Sequence, residues 1–190
     1  MNFSITLQSD QLQLRPMQTD DLALLLPLVS DETLWEYFAA NLSEENVLKR
    51  WISTAVVNRE KLNQIPFTIV ELGTNQVIGS TRFANISDHD LRVEIGWTWL
   101  GKAYQGKGYN KEMKLLMLQH CFESIGLERV EFKTDVLNVA ARKAMKNLGL
   151  IEEGILRSHT LLANGKRRDT IFYSALKAEW DDLKAQNEWS

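Results

Sequence analysis

Several residue types are scarce in this chain of 190 residues, and each scarcity limits what the protein can do. The one cysteine, Cys121, cannot form an internal disulfide, so we expect a reducing, cytoplasmic location. The three histidines are far apart in the sequence. His120 adjoins Cys121, but consecutive residues on a helix point about 100° apart and cannot readily share an ion. The sequence therefore predicts no metal site.

Long hydrophobic runs are also missing. The longest, from Leu22 to Val29, contains Pro27 and is far shorter than the roughly 20 apolar residues that a membrane-spanning helix needs. The first basic residue is Arg15, whereas a signal peptide carries positive charge at its start. We therefore expect neither a signal peptide nor a membrane partner. No repeat or flexible linker divides the chain, so residues 1–190 are predicted to form a single domain.

The charge balance is mildly acidic, with a formal net charge of −3. Hydrophobic residues make up 44% and charged residues 25%, which is typical of a soluble globular protein. Such a chain has no overall attraction to phosphate, so nucleic acid is not an expected partner and any anion site must be local. The basic run GKRRD, from Gly165 to Asp169, is interpreted as solvated surface at a turn, with an RNA-binding patch as the less favoured alternative.

The hydrophobic pattern predicts an α/β fold of the α+β type. A strand from Leu12 to Met17 precedes helices that begin near Thr19 and Ser43. Three strands, a helix, a strand, a second helix and a final hairpin follow, and a polar helix ends the chain. This order gives a mixed, twisted sheet of about seven strands with helices on both faces. In the third of the three middle strands, the period of two places on one face Val93, Ile95, Trp97 and Trp99.

A loop with two glycines, Gly106 and Gly108, joins that strand to a helix predicted from about Tyr109 to Ser124. The first amides of a helix lack partners and glycines allow close approach to the backbone, so such a loop can hold a phosphate group. Positive charge is added by Lys102, Lys107 and Lys111. The spacing matches neither a P-loop nor a dinucleotide-binding motif, so a plain connection with solvated lysines stays an equal alternative.

A larger set of motifs carries a family resemblance. The segments YQGKGYNKE, MKLLMLQHCFESIGLERVEFKTDVLN and ARKAMKNLGLIEEGILR resemble the acetyl-CoA-binding core of the GCN5-related N-acetyltransferase (GNAT) superfamily. The likeness runs from LQLRPM to RRDTIFYSALKAEW, and it is greatest to the branch that includes the ribosomal-protein N-terminal acetyltransferases. It implies a sheet whose fourth and fifth strands, LRVEIGWTWL and RVEFKTDV, splay apart to admit the cofactor.

The resemblance also implies which residues hold acetyl-CoA. The family's loop motif falls on Gln105, Gly108 and Asn110, although Asn110 replaces the small residue usual at its end. The amides of this loop would hold the pyrophosphate, and the end of the fourth strand would pair with the pantetheine arm. Asn138 matches an asparagine that contacts this arm, and it also has a purely structural interpretation as a helix N-cap. The predicted set is Thr98, Trp99, Leu100, Gln105, Gly106, Lys107, Gly108, Tyr109, Asn110 and Asn138.

Acetyl transfer to an amine needs a neutral amine, a polarised carbonyl and a proton for the leaving thiolate. Glu94 is the predicted general base because it lies on the strand that should meet the acetyl group, although a glutamate on a strand is more often solvated or salt-bridged. Weaker candidates for the base are Asp135, Glu153 and His159.

The proton donor is absent from its usual positions. Many relatives have a tyrosine, and the nearest branch often a serine, where this chain has Met145 and Ala141, neither of which can donate a proton. Either water or a tyrosine from elsewhere replaces them, or the chain binds acyl-CoA without efficient turnover. The candidate tyrosines are Tyr104, Tyr109 and Tyr173.

Together these residues predict an acetyl-CoA-dependent N-acetyltransferase in which a primary amine attacks the thioester in a ternary complex. The acceptor is either a peptide or protein N-terminus or a small-molecule amine, and the acidic composition favours a cationic one. A non-catalytic acyl-CoA-binding module is the alternative function. The strands of the last hairpin would also allow a homodimer. Five aromatic residues either line the acceptor pocket or belong to the core: Trp35, Tyr37, Trp51, Trp97 and Trp99.

Overall fold

One mixed sheet organises the chain. The computed structural model describes residues 3–189, and within them the strands are β1 (Leu7–Gln8), β2 (Leu12–Pro16), β3 (Ile65–Glu71), β4 (Gln76–Ser87), β5 (Arg92–Leu100), β6 (Arg129–Asp135), β7 (Ile151–Leu161) and β8 (Arg167–Leu176). Their order in the sheet is β1-β2-β3-β4-β5-β6-β8-β7. Every neighbouring pair is antiparallel except β5 and β6, which are parallel.

The helices cover both faces of this sheet. They are α1 (Leu22–Leu25), α2 (Glu45–Glu60), α3 (Tyr109–Gln119), α4 (Val139–Leu148) and α5 (Trp180–Asn187). The helix predicted from about Tyr109 to Ser124 is confirmed, because α3 continues as a π-helical segment, His120–Ile125. The predicted helix near Thr19 is shorter than expected: only one turn is α-helical, and it passes into a 3-10 segment that contains Pro27. Proline lacks the amide hydrogen that a longer helix would need.

Two apolar clusters lie on opposite faces of the sheet. The larger cluster packs α3, α4 and α5 against the strands, and it includes Phe67, Val93 and Ile95. The smaller cluster packs α1 and α2 against the other face, and it includes Trp35 and Trp99. Because both faces are buried in this way, the middle strands β3 and β4 are apolar or uncharged over most of their length.

The strands β5 and β6 pair only at their beginnings. The parallel register joins Arg92 with Arg129, Val93 with Val130 and Glu94 with Glu131, and no further pair follows. Beyond Glu94 the two strands separate, which agrees with the splay expected of the strands LRVEIGWTWL and RVEFKTDV. We call this opening the fork.

A β-bulge lies in β5 next to the fork. Between the pairs Ser80–Trp99 and Arg82–Gly96, β5 advances by one residue more than β4, and Trp97 has a φ of +51°. The bulge changes which side chains share a face. The prediction that Val93, Ile95, Trp97 and Trp99 lie on one face is therefore wrong: Val93 and Ile95 belong to the α3 side, whereas Trp99 belongs to the α2 side.

The number of strands also differs slightly from the prediction. Residues 3–189 contain eight strands rather than about seven, and the additional one is β1, which pairs with β2 over two residues. A strand of two residues is too short to produce a visible alternation. At the other edge of the sheet lies β7, where Ile155 and Leu156 are exposed. A homodimer through this edge stays a prediction.

We expect Gly79→Ala to destabilise the fold near the fork. A Cβ atom at Gly79 would lie 2.2 Å from the carbonyl oxygen of Trp99, so β4 and β5 would have to move apart. Such overpacking costs about 1–3 kcal/mol. The free energy of unfolding in urea measures the effect. Gly73→Ala is the control, because the nearest atom there belongs to the flexible side chain of Glu71; equal stability of the two variants would contradict the prediction.

Candidate functional site

Unpaired backbone amides lie where α3 begins. Gly108 is the N-cap residue, with a φ of +91° and no side-chain cap. The first amides that find acceptors are those of Lys111 and Glu112, which both donate to the carbonyl of Gly108. Among residues 3–189, the amides of residues 106–110 donate to no protein acceptor. The helix dipole adds partial positive charge at the same point, so the segment is suited to an anion.

Side chains brace this loop without filling it. Gln105 donates from Nε2 to the carbonyl of Leu100 at 3.1 Å, which ties the loop to the end of β5. Tyr104 donates to Gln76 at 2.7 Å, and Lys107 lies over the Tyr104 ring. A Cβ atom built on Gly106 or Gly108 would meet nothing within 4 Å. The glycines therefore satisfy positive φ angles and leave the surface above the loop open.

A buried lysine lies beneath the loop. Lys114 donates from Nζ to Oδ1 of Asn110 at 2.6 Å. Burial lowers the pKa of Lys114 to about 8. The side chain of Asn110, which replaces the small residue of the family motif, is thus turned toward this lysine within α3.

We expect Lys114→Met to stabilise the protein at pH 7 by about 1–3 kcal/mol, because it removes a buried charge. Below pH 8 both the folded and the unfolded chain carry this proton, so the full penalty is present. Between pH 8 and 10.5 the folded chain loses the proton first, and the stability of the wild type rises. The advantage of the variant should therefore shrink as the pH is raised.

Urea denaturation at pH 7 and pH 10 tests this expectation. Lys111→Met is the control, because it removes an exposed lysine from the same helix. An advantage of Lys114→Met that stayed constant over this range would show that burial of the charge is not the cause.

The free edge of β5 leads from the fork toward the loop. Residues 95–100 pair with β4 on one side, but within the described chain they have no strand partner on the side of β6. Thr98 is held from the β4 side, where its hydroxyl lies 2.8 Å from that of Thr81. The amide and carbonyl groups on the open edge are available to an extended ligand, as in strand addition.

Glu94 lies at the point where the fork opens. Its side chain is 5% exposed, and its Oε2 accepts from Nζ of Lys133 at 2.9 Å and from Nδ2 of Asn85 at 2.7 Å. The ion pair agrees with the structural interpretation of a strand glutamate. Burial lowers the pKa of Arg168, and the carboxylates of Asp135 and Glu94 oppose this shift. Several charges therefore share this face of the fork.

The other candidates for the base are less well placed. Asp135 is buried and accepts from the amide of Leu137 at 2.8 Å. Glu153 lies on β7, where hydrogen bonds from Ser174 and Arg129 lower its pKa. His159, also on β7, is exposed and has Nδ1 3.1 Å from the hydroxyl of Thr170. Of these residues, Glu94 alone lies on β5 at the start of the fork.

Asn138 is the N-cap of α4. Its Oδ1 accepts from the amide of Ala141 at 3.0 Å, so the structural interpretation of this residue is confirmed. Met145 is buried in the larger cluster, and Ala141 packs against it. The tyrosines are engaged elsewhere: Tyr104 with Gln76, Tyr109 with Glu71, and Tyr173 with Glu152.

Four of the five predicted aromatic residues divide into two groups, and the fifth, Tyr37, is half-buried and belongs to neither. Trp35 and Trp99 are buried in the smaller cluster with ring centroids 5.5 Å apart, so both belong to the core. Trp51 and Trp97 instead line a groove of about 390 Å³ on the α2 face. Arg82, which sequence reasoning missed, lies within cation–π distance of both indoles. Its only sequence signal is a charged residue inside an otherwise uncharged strand.

A match to a known protein family identifies the class of protein in which this arrangement of loop and fork occurs. The model of the "Acetyltransferase (GNAT) domain" matches residues 11–151, which include the loop, the fork and α4. The chain belongs to the GNAT acetyltransferase family. GNAT enzymes use acetyl-CoA as the acetyl donor, which agrees with an anion-binding loop at one end of an open strand edge.

Individual GNAT relatives extend the match over most of the chain. The "Uncharacterized N-acetyltransferase p20" of Bacillus licheniformis is 28% identical over 92% of this chain and 98% of its own length. The "Putative ribosomal N-acetyltransferase YdaF" of Bacillus subtilis is 29% identical over 79% of this chain and 80% of its own. The fold also matches that of a GCN5-related N-acetyltransferase from Brucella melitensis, with a TM-score of 0.86, 22% identity and coverage of 98% and 85%.

The sequence predicted neither a metal site nor a membrane partner for this GNAT chain, and the described residues give one observation on each. Across residues 3–189, no three His, Cys, Asp or Glu side chains are grouped so as to hold a metal ion. In the same range, no helix is both long and apolar enough to span a bilayer.

Proposed function

We propose that this GNAT protein transfers the acetyl group of acetyl-CoA to a primary amine in a ternary complex. The supporting observation is the continuity of unpaired amides at residues 106–110 with the open edge of β5. The pyrophosphate lies on the loop amides of Gly106, Lys107, Gly108, Tyr109 and Asn110. The pantetheine arm pairs with the backbone of Thr98, Trp99 and Leu100, and the thioester then reaches the fork.

In the reaction itself, the amine nitrogen forms a bond to the acetyl carbon and the bond from that carbon to sulfur breaks. The ammonium group must first lose a proton, and Glu94 is the proposed acceptor, directly or through one water. Lys133 and Asn85 hold this carboxylate at the beginning of the fork. The acetyl oxygen is polarised by an amide on the open edge of β5.

The leaving thiolate takes its proton from water in this proposal. Ala141 and Met145 have no proton to donate. The hydroxyls of Tyr104 and Tyr109 already donate hydrogen bonds to Gln76 and Glu71. A thiol is acidic enough that its thiolate leaves without a dedicated donor. Asn138 keeps its capping role through Oδ1, which leaves its amide nitrogen for the pantetheine arm.

The acceptor approaches from the α2 face of the sheet. Glu94 lies on this face with Lys133 and Trp97, and the groove beside Trp51 opens there. Both a peptide or protein N-terminus and a small-molecule amine can approach the site from this face. The name of YdaF supports the first, because it describes a ribosomal acceptor for that relative.

A non-catalytic acyl-CoA-binding module is the second candidate, and the absence of a donor at Ala141 and Met145 is the observation that favours it. Release of free thiol from acetyl-CoA in the presence of an amine library separates the two functions. An enzyme releases thiol in proportion to the amine, whereas a binding module shows saturable binding without release.

We expect Gly108→Val to weaken acetyl-CoA binding by at least about tenfold, because the side chain strains the φ of +91° and covers the amides. Isothermal titration calorimetry measures the affinity. Gly126→Val is the matched control: Gly126 also has a positive φ and open space around its Cβ position, but it lies at the other end of the same helix. Unchanged affinity in Gly108→Val would remove the loop from the mechanism.

We expect Glu94→Gln to lower kcat by about 100-fold while acetyl-CoA binds with unchanged affinity, because only the proton acceptor is lost. Steady-state thiol release and calorimetry measure the two quantities. Lys133→Met is the comparison, since it removes the partner of the carboxylate and keeps the base. Full activity in Glu94→Gln would assign proton removal to another group.

A further inference from the structure

Arg82 on β4 is a buried charged residue with unused donors. Its residue exposure is 3%, and Nη1 donates to Oε1 of Gln64 at 2.8 Å. Within residues 3–189, Nε and Nη2 have no hydrogen-bond partner. A buried charged group without partners costs several kcal/mol, so folded proteins nearly always pair it. The two unused donors therefore point to a ligand that supplies their acceptors.

Two indoles lie close to the guanidinium without accepting hydrogen bonds from these donors. The Arg82 Cζ lies 4.1 Å from the ring centroid of Trp51 and 5.4 Å from that of Trp97. Contacts of this kind act through the faces of the aromatic rings and satisfy none of the hydrogen-bond donors of the guanidinium. Burial lowers the pKa of Arg82 to about 9, so the group still carries its charge at neutral pH.

The groove beside Arg82 has the chemistry of an anion site. Its polar walls come from Arg50, Thr54, Asn58 and Gln64, and its apolar walls come from the two indoles. In the described part of the chain, neither aspartate nor glutamate lines it. The nearest acid along the sheet is Glu94, which is already paired with Lys133. A polyamine would meet two arginines here and no carboxylate.

We propose that this groove binds the carboxylate of the acceptor, and that the substrate class is a small amine that carries a carboxylate, such as an amino acid. Nε and Nη2 lie on one edge of the guanidinium and match the two oxygens of a carboxylate. This inference rests on the proposed acetyltransferase function and names the substrate of the same site. It favours a zwitterionic acceptor over the cationic one suggested by the composition.

The register of the sheet sets the length of the acceptor. Arg82 pairs with Gly96 on β5, and Glu94 lies two residues farther along the same strand and face. Diagonal neighbours of this kind have Cα atoms about 7–8 Å apart. A carboxylate held by Arg82 therefore leaves the amine of a short amino acid near Glu94 and the fork. A longer chain between the carboxylate and the amine would place the amine beyond Glu94.

The acceptor reaches the donors by displacing an indole. Both donor atoms are covered in the structure. Both indoles are half-buried, and Trp97 is the one that lies at the bulge of β5. Movement of Trp97 uncovers the edge of the guanidinium. Binding should therefore change the tryptophan fluorescence, and this readout does not depend on turnover.

The test compares matched amines in the wild-type protein. Glycine, β-alanine and γ-aminobutyrate are each assayed beside the corresponding amide, with thiol release from acetyl-CoA as the measurement. We expect kcat/KM to favour at least one acid over its amide by about 10- to 100-fold, as for a charged hydrogen-bonded pair. Aminoethylphosphonate is assayed beside β-alanine, and preference for the phosphonate would overturn the assignment to a carboxylate.

Arg82→Lys keeps the charge and loses the two parallel donors, so the preference for the acid should fall about tenfold. Lys49→Gln removes an exposed charge from α2 outside the groove and should keep the wild-type ratio. Should Arg82→Lys not fold, the comparison of acid and amide in the wild type decides alone. Equal use of acid and amide by the wild type, or an unchanged ratio in folded Arg82→Lys, overturns the proposal.

Fluorescence titration with the same acids separates this inference from the proposed function. Saturable change with acids and none with amides supports the carboxylate site even if no thiol is released, in which case acetyl transfer fails and the site stands. If thiol is released but neither assay distinguishes acids from amides, the acetyltransferase function is supported and the carboxylate site is rejected. Loss of the fluorescence change in Trp97→Phe would assign the signal to the indole at the bulge.

Discussion

The early end of the pairing between β5 and β6 is the constraint on which the rest of the structure depends. Two parallel strands that stay in register leave no room for a ligand between them. Here the ladder stops after Glu94, and the bulge at Trp97 bends β5 away while its other edge stays paired with β4. The opening therefore has one rigid wall, and the glycine loop lies at its far end. A ligand as long as acetyl-CoA can follow this wall without unfolding any part of the sheet.

The same bulge separates the two halves of the site. Side chains before it on β5, such as Val93 and Ile95, anchor the strand to the helices that present the loop. After it, Trp99 anchors the strand to α1 and α2. One extra residue thus connects β5 firmly to both layers of the fold. Since each layer holds its own part of the strand, the free edge keeps a defined shape even where β6 no longer supports it.

Much of this organisation was predictable from local patterns. The β-branched runs of β3 and β4, the N-cap at Asn138 and the glycine at the start of α3 are local signals, and the structure confirms the elements that they predicted. The bulge was not predictable, because Trp97 continues a regular alternation and only pairing with β4 shows the extra residue. The environment of Arg82 was not predictable either, because its partners Trp51 and Trp97 come from elements far apart in the sequence.

The two clusters on opposite faces have a consequence for how such a protein can diverge. The layer built from α3 and α4 carries the loop, whereas the groove is built against α2. Mutations that reshape the groove therefore repack a different core from the one that positions the loop. Selection can replace one acceptor with another in small steps while the half that handles the thioester stays unchanged. Because the two halves are packed separately, related proteins can keep the same acetyl donor while their acceptor substrates differ.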